Sequence, residues 1–304
     1  MLTAIIILNY CTFDDVVRCV DSVRMSSINK YKIYIIDNKS KDNSGFELNK
    51  KYQDSPNVSV FLNDENQGYS GGNNIGINMA LKDNCDFFII ANPDIIFLPN
   101  SIDILISTFK KNNKIGLVGP KILNTDGSIS KYNPRKKLTE LKELYFLKVP
   151  IVYLNFNKVK DKMFYTNTPP NQLLEVFTTS GSCLAFSLVA IKEIFPLDEK
   201  LFMYMEEPLI GKRLSDKDLK VIYNPYAEVI HDHRSEGRLI SASSLIYKCA
   251  SEIYYIRKIL GRPLIWIMPI IIYYFAVYII GLFLRKDYRE KIGLFFRKIA
   301  DSFE

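Results

Sequence analysis

Five stretches of this 304-residue chain carry candidate reactive or ligand-binding side chains. Asp37 follows the apolar run 33–36. An acid in that place can accept a hydrogen bond from a base ring or a ribose hydroxyl, and Asp37-Asn38-Lys39-Ser40 also reads as ordinary turn chemistry. Residues 66–76, from Asn66 through Gly68 and Asn74 to Gly76, carry three asparagines and four glycines. Glycines let a backbone approach a ligand closely, and a helix N-terminus offers free N–H groups to an anion. The stretch is neither GxGxxG nor GxxxxGK[ST], so nicotinamide and P-loop readings gain nothing from it. In Asn92-Pro93-Asp94, Asp94 offers a hard oxygen ligand suited to Mg²⁺ or Mn²⁺; standing alone, the triplet is a turn. Glu206 and Glu207 are adjacent carboxylates, whose repulsion can raise the pKa of one and leave a base for a hydroxyl proton. The plainer reading is two solvated glutamates at a helix start. His231 and His233 are the only histidines. His231 is either a metal ligand or phosphate donor, or half of a surface pair.

These residues need a scaffold. Residues 3–8 and 33–36 are β-branched apolar runs that read as strands buried on both faces. Residues 58–62 and 87–91 read as further strands. Between them, Thr12 and Asp15 fit a helix N-cap signature ahead of Val16, Val17, Val20 and Val23. A turn is predicted over 68–72 and a helix over 73–81. Strand and helix segments resume over 177–195, and 221–223 and 229–230 read as short strands. Strands alternating with helices predict an α/β fold with a mostly parallel sheet, whose ligands bind at the carboxyl ends of the strands. Asp37 and Asp94 both sit at such ends.

The net charge of +7, from 40 basic and 33 acidic residues, favours an anionic partner such as a nucleotide diphosphate, a phosphorylated acceptor or a membrane surface. Nucleic acid is not expected, because there is no basic arm, zinc motif or aromatic platform. Five cysteines without CxxC spacing argue against a disulfide framework or a structural zinc site, and point to a reducing compartment. The N-terminal apolar run is only strand-sized, so the catalytic part is expected in the cytosol.

In combination the motifs are specific. The sequence resembles the bacterial family 2 inverting glycosyltransferases of GT-A fold, and within them the rhamnosyltransferase-like branch, over roughly residues 1–260. Ile6-Ile7-Leu8-Asn9-Tyr10 matches the first-strand motif, and Ile36-Asp37-Asn38-Lys39-Ser40 the base-binding motif. Residues 66–76 match the NxGfaxGxNxG stretch, and Asn92-Pro93-Asp94 the NPD variant of the metal-binding DxD. Thr179-Ser180-Gly181-Ser182 matches the acceptor-side strand, residues 202–207 match FMYxED, and His231 with Ser235 matches the closing HxxxS. The resemblance implies donor binding by Asn9, Tyr10, Asp37, Asn66, Gly68, Asn74 and Asn92. It implies Mg²⁺ or Mn²⁺ on Asp94 and His231, an acceptor side at Ser180, Gly181 and Glu206, and Glu207 as catalytic base. The partners implied are a nucleotide diphosphate sugar, either dTDP-rhamnose or a UDP-sugar, and a glycan acceptor linked to polyprenyl diphosphate. Three departures stand out. Cys11 replaces the usual asparagine, Glu207 replaces the usual aspartate, and Pro208-Leu209 replaces a hydrophobic-Asp pair. A nucleotidyltransferase is a poor alternative, because Asn9-Tyr10-Cys11-Thr12 lacks the glycine-rich basic loop such an enzyme needs. The altered 206–209 region leaves a non-catalytic membrane-associated sugar-nucleotide-binding protein as the other alternative.

The chain is expected to divide into a GT-A domain over 1–245 and a membrane-associating helical region over 246–304. Residues 264–284 carry no charge, enough to span a bilayer by length. They are rich in aromatics that favour the interface, and basic residues flank both ends, against a single positive-inside span. The preferred expectation is a helix lying in or re-entering the leaflet at the cytoplasmic face of the cell membrane, with 293–303 as its amphipathic partner. A buried helix and a true span are the other two readings. A lipid-linked acceptor would account for this tail and for the basic residues Lys131, Arg135, Lys136, Lys137 and Lys142.

Overall fold

The computed structural model describes residues 1–27, 30–130, 133–136, 165, 171–232 and 241–303. The N-terminal half alternates strand and helix. β1 (Thr3–Asn9), α1 (Phe13–Ser26), β2 (Tyr31–Asp37), α2 (Ser44–Tyr52), β3 (Val58–Leu62), α3 (Gly68–Lys82) and β4 (Phe87–Ala91) follow in order. β5 (Ile95–Phe97), α4 (Ser101–Phe109) and β6 (Ile115–Leu123) come next. β7 (Leu174–Val176), β8 (Cys183–Ser187), α5 (Leu188–Ile194), α6 (Glu206–Asp216) and β9 (Lys220–His231) complete the sheet-bearing part.

Among the described residues, nine strands form one sheet in the order β3-β2-β1-β4-β8-β6-β9-β5, with β7 on β9. Six of them (β3, β2, β1, β4, β6 and β9) run the same way, because β8 is antiparallel to both of its neighbours, β4 and β6. The sheet is therefore mixed but mostly parallel. Its strands alternate period-two between two apolar layers. Ile5, Ile7, Ile33 and Ile35 pack with α1 and α4, and Ala4, Ile6, Tyr34 and Ile36 pack with α3 and α5. Burial on both faces is why these strands read as unbroken apolar runs. Register pairs Asn9 with Asp37 and Ile7 with Ala91, so the carboxyl ends of β1, β2 and β4 line up along one edge.

Several local readings are corrected. The Thr12 side chain does not cap α1; its hydroxyl donates to Asn9 Oδ1 at 2.8 Å. The glycine stretch is no separate turn, because α3 already begins at Gly68. A Cβ on Gly72 or Gly76 would lie 2.3 Å or 2.5 Å from Leu8 or Ile6, so these glycines let α3 lie directly on β1. The two short strands expected at 221–223 and 229–230 are one strand, β9, whose register to β6 shifts where Pro120 pairs Asn224 and Lys121 pairs Glu228. Pro225, which lacks an N–H to donate, sits inside that shift.

The tail consists of α7 (Ala242–Tyr254), a π-helical turn (Tyr255–Ile259), a 3₁₀ turn (Leu264–Trp266), α8 (Met268–Leu284), α9 (Lys286–Glu290) and α10 (Ile292–Asp301). The division expected at 245/246 falls inside α7, and α7 shares a core with Leu201, Met205 and Leu209 of the preceding part. Among the described residues, no helix is long and apolar enough to cross a membrane. The uncharged run 264–284 is broken between the 3₁₀ turn and a 17-residue helix with Pro269 in its first turn.

Candidate active site

At the carboxyl edge of the sheet, Asp37 is 5% exposed. It accepts hydrogen bonds from Asn9 Nδ2 at 2.7 Å and from the Ser40 N–H at 3.0 Å, and from the Ser40 hydroxyl. Asn9 also donates to Ser44 Oγ and accepts from Thr12. The amide of Asn9 thus fixes the orientation of the acid. Gly45, at the start of α2, is part of this arrangement. A Cβ there would sit 2.3 Å from Asp37 Cγ, so only glycine lets the helix approach the carboxylate. Sequence reading missed Gly45, because no motif marks it.

Asn38, next in line, ties this corner to the glycine stretch. Its amide donates to Asn66 Oδ1 and to the Gly68 carbonyl, both at 3.0 Å. Gly68 has φ +71°, and its Cβ would strike the Phe202 carbonyl at 2.2 Å, so the position demands glycine on two counts. The Tyr69 N–H donates to that same carbonyl at 2.8 Å, and the Tyr69 hydroxyl donates to the Gly181 carbonyl at 2.7 Å. Tyr69 therefore clamps the helix start to both downstream loops. Asn74 lies apart from this cluster. Both ends of its amide hold the Leu197 peptide, and its Nδ2 also reaches Glu199, so the structure gives it a positioning task in the protein interior. Tyr10, by contrast, is 43% exposed at the rim.

The third corner is Asp94. Its Oδ1 lies 3.1 Å from His231 Nε2. The two are brought together because β5 pairs antiparallel with β9, Ile95 facing His231, and the Asp232 N–H donates to the Asp94 carbonyl at 2.9 Å. An oxygen and an imidazole nitrogen this close suit a shared divalent ion. Among the described residues no group of three or more His, Cys, Asp and Glu side chains could hold one. Since Mg²⁺ keeps near-octahedral geometry and takes substrate phosphates as ligands, the pair fits an ion whose remaining ligands come with the diphosphate. His233 and Ser235 lie outside the described residues.

Asn92 joins the Asp94 corner to the Ser180–Ser182 loop, its N–H donating to the Ser182 carbonyl at 2.8 Å. One residue earlier, the Gly181 N–H donates to Glu207 Oε1 at 3.1 Å. Arg135 Nη2 lies 3.4 Å from that oxygen. Ser180 is held by Asn133 Oδ1 at 3.0 Å. Arg135 is the main residue whose role sequence reading missed. It was visible only as one of a run of basic residues, and its sequence distance from Glu207 gave no local signal. Of that run, Lys131, Lys137 and Lys142 lie outside the described residues, and Lys136 stands over the Tyr165 ring. Tyr204 and Met205, with φ of 74° and 69°, place two non-glycine residues in left-handed conformation just before Glu206. Backbone strain of that kind gathers at functional sites.

The two glutamates differ sharply. Glu207 is partly buried, with its Oε1 held by the Gly181 N–H and Arg135. Glu206, expected on the acceptor side, is buried at 7% exposure, and its Oε1 has no hydrogen-bond partner among the described residues. Burial first, and the Glu207 charge second, push its carboxyl up to about 8. The native state thus keeps a proton that the unfolded chain has released above about 4.5, so stability falls as pH rises from there to about 8. Glu206→Gln should abolish that decline, and melting curves at pH 5.5 and 8.5 for both proteins would show it. Equal pH dependence in the two would contradict a protonated Glu206.

Residues 4–195 match the family model described as Glycosyl transferase family 2. The chain belongs to glycosyl transferase family 2. Among its relatives, this glycosyltransferase is 28% identical over 231 residues to an N-acetylglucosaminyl-diphospho-decaprenol L-rhamnosyltransferase of Mycobacterium tuberculosis, covering 73% of each chain. It is 24% identical over 245 residues to the low-salt glycan biosynthesis hexosyltransferase Agl10 of Haloferax volcanii, covering 80% of this chain and 71% of that one. Its fold matches the crystal structure of GalNAc-T7 with UDP, GalNAc and Mn²⁺ at TM-score 0.63 and 17% identity, over 84% of this chain and 48% of that one. It matches S. aureus TarS 1-349 at TM-score 0.53 and 12% identity, over 83% of this chain and 65% of that one. The glycosyltransferase therefore has the GT-A fold that its sequence resemblance implied.

Proposed function

We propose that this family 2 enzyme is an inverting transferase. It moves a sugar, rhamnose from its dTDP donor as first choice, from a nucleotide diphosphate to a hydroxyl of a polyprenyl-diphosphate-linked glycan. The work belongs to cell-surface polysaccharide synthesis at the cytoplasmic face of the cell membrane. The observation that carries this reading is the seat of Glu207. Its carboxylate is held by the Gly181 N–H and Arg135, and Gly181 is tied through Ser182 to Asn92 and the donor-side corner. The rhamnosyltransferase named among the relatives supports the sugar and the lipid-linked acceptor.

Asp37, fixed by Asn9, would take the base or ribose, and the 66–69 backbone would close over the nucleotide. Asp94 and His231 would hold Mg²⁺ or Mn²⁺. A divalent ion there would neutralise the charge gathering on the leaving diphosphate. Glu207 takes the proton from the acceptor hydroxyl as that oxygen attacks the anomeric carbon from the face opposite the leaving group. One displacement inverts the configuration and needs no enzyme nucleophile. A UDP-hexose donor is the second reading, supported by the hexosyltransferase among the relatives.

The test is a panel of dTDP- and UDP-sugars with Mn²⁺ or Mg²⁺ and a polyprenyl-diphosphate N-acetylglucosamine acceptor. Transfer from dTDP-rhamnose above all other donors is expected. Transfer from a UDP-hexose alone would select the second reading. Failure of every donor to be transferred, with nucleotide sugar still bound, would overturn the enzyme reading in favour of a binding protein.

A further inference from the structure

We propose that the C-terminal tail is a docking surface for an anionic lipid bilayer, on which the chain lies without crossing. The apolar face of α8 and the preceding 3₁₀ turn enters the headgroup–acyl boundary, and basic residues at both ends of the helix meet lipid phosphates. α8 buries one stripe, Ile270, Tyr274, Tyr278 and Gly281, against the rest of the tail. Tyr278 stacks on Phe295 of α10 with ring centroids 4.0 Å apart, and its hydroxyl donates to the Tyr288 carbonyl. A soluble helix packed this way turns polar residues outward. α8 instead leaves Ile272, Ile280, Phe283 and Leu284 between 58% and 81% exposed, and the turn before it exposes Ile265 and Trp266. A contiguous apolar face of this kind marks an interaction site.

Charge identifies what covers it. Residues 255–304 contain nine basic and four acidic residues, so five of the chain's seven net positive charges lie in this final segment. Arg257, Lys258 and Arg262 precede the apolar face, and Arg285, Lys286 and Arg289 follow it. An anionic surface is complementary to that pattern, whereas a second copy of the same face would bring like charges together. Length argues against crossing. At 1.5 Å per residue the 17 residues of α8 extend about 26 Å, short of a hydrocarbon core of about 30 Å, and their buried stripe is already engaged by protein. Trp266 at the helix entrance is the residue type that settles at the interface.

The docked tail also reaches the reaction. Its core is continuous with Leu201, Met205 and Leu209, which flank the two glutamates, and Ser251 Oγ of α7 donates to the Met203 carbonyl at 2.8 Å. A bilayer under α8 would hold the Glu207 segment at a fixed height above the lipid. That consequence rests on the transferase reading; the docking does not, and the experiment reads docking alone.

The full chain is sedimented with vesicles of phosphatidylcholine alone and of phosphatidylcholine with phosphatidylglycerol. Binding to the anionic vesicles is expected, at least about tenfold weaker on the neutral ones, since basic residues near an anionic surface each contribute on the order of 1 kcal/mol. Bound protein should come off in alkaline carbonate. The double variant Ile280→Glu with Phe283→Glu should lose binding while keeping its melting temperature. Should that variant misfold, Arg262→Glu with Lys286→Glu, both at exposed positions, should cut anionic-vesicle binding about tenfold or more. Three results overturn the proposal: no binding to any vesicle, binding that neither double variant weakens, or carbonate-resistant insertion. A dimer that Ile280→Glu with Phe283→Glu dissociates, without vesicle binding, would assign the face to a second copy.

Discussion

Glu207→Gln should lower sugar transfer by about 10²–10⁴-fold, about 2.7–5.5 kcal/mol in barrier, while nucleotide-sugar affinity stays as in the unmodified protein. Glutamine keeps the shape of the side chain and an oxygen for the Gly181 N–H, which donates to Glu207 Oε1 at 3.1 Å. It removes the charge that faces Arg135 and the basicity that can accept a hydroxyl proton. The residues proposed to contact the donor belong to other strands. Asp37 ends β2, and Asp94 lies between β4 and β5. Binding and turnover should therefore separate, as measured by isothermal titration of the donor beside initial rates. Parallel loss of both would make Glu207 a structural carboxylate and contradict its role as base. Glu206 cannot take over. It is buried, and burial together with the neighbouring Glu207 charge raises the pKa of its carboxyl and favours the protonated form.

Asp94→Ala should act on the opposite side of the reaction, weakening metal-dependent donor binding and lowering transfer by about 10²-fold or more, since electrostatic stabilisation of a leaving diphosphate contributes several kcal/mol. Asp94 and His231 are the two donors at 3.1 Å separation, and among the described residues no third protein ligand completes a site. Metal affinity in the absence of donor should consequently be low, and should rise when nucleotide diphosphate is present. The diagnostic measurement is a Mn²⁺ titration with and without nucleoside diphosphate, followed by electron paramagnetic resonance. An unchanged titration in Asp94→Ala would remove Asp94 from the metal site.

How far the sequence carried the fold depended on what each residue's neighbours were. The central parallel strands β1, β2 and β4 were legible because burial on both faces demands an unbroken apolar run. The bent strand β9 was not, because Asn224 and Pro225 read locally as a terminator, whereas a register shift against β6 carries the strand past them. Asp37, Asp94, Glu207 and His231 were singled out as candidates by residue type and position, and only the family resemblance gave them roles. The structure shows what surrounds them: Asn9 fixing Asp37, and Arg135 beside Glu207. Asn74 shows the converse. Its place in a motif gave it to the donor, yet its amide holds the Leu197 peptide. Nor did adjacency distinguish Glu206 from Glu207. Their difference is burial, set by which side of α6's first turn meets the core, and that depends on packing partners distant in sequence.

Glycosyl transfer driven by Glu207 is reached directly by one assay. Purified protein is incubated with radiolabelled dTDP-rhamnose, Mn²⁺ and polyprenyl-diphosphate N-acetylglucosamine, and label in the organic phase is counted for the unmodified protein and for Glu207→Gln. Metal-dependent label in the lipid product is expected for the unmodified protein, and a loss of about 10²-fold or more for the variant. Equal labelling by the two proteins would contradict transfer driven by Glu207.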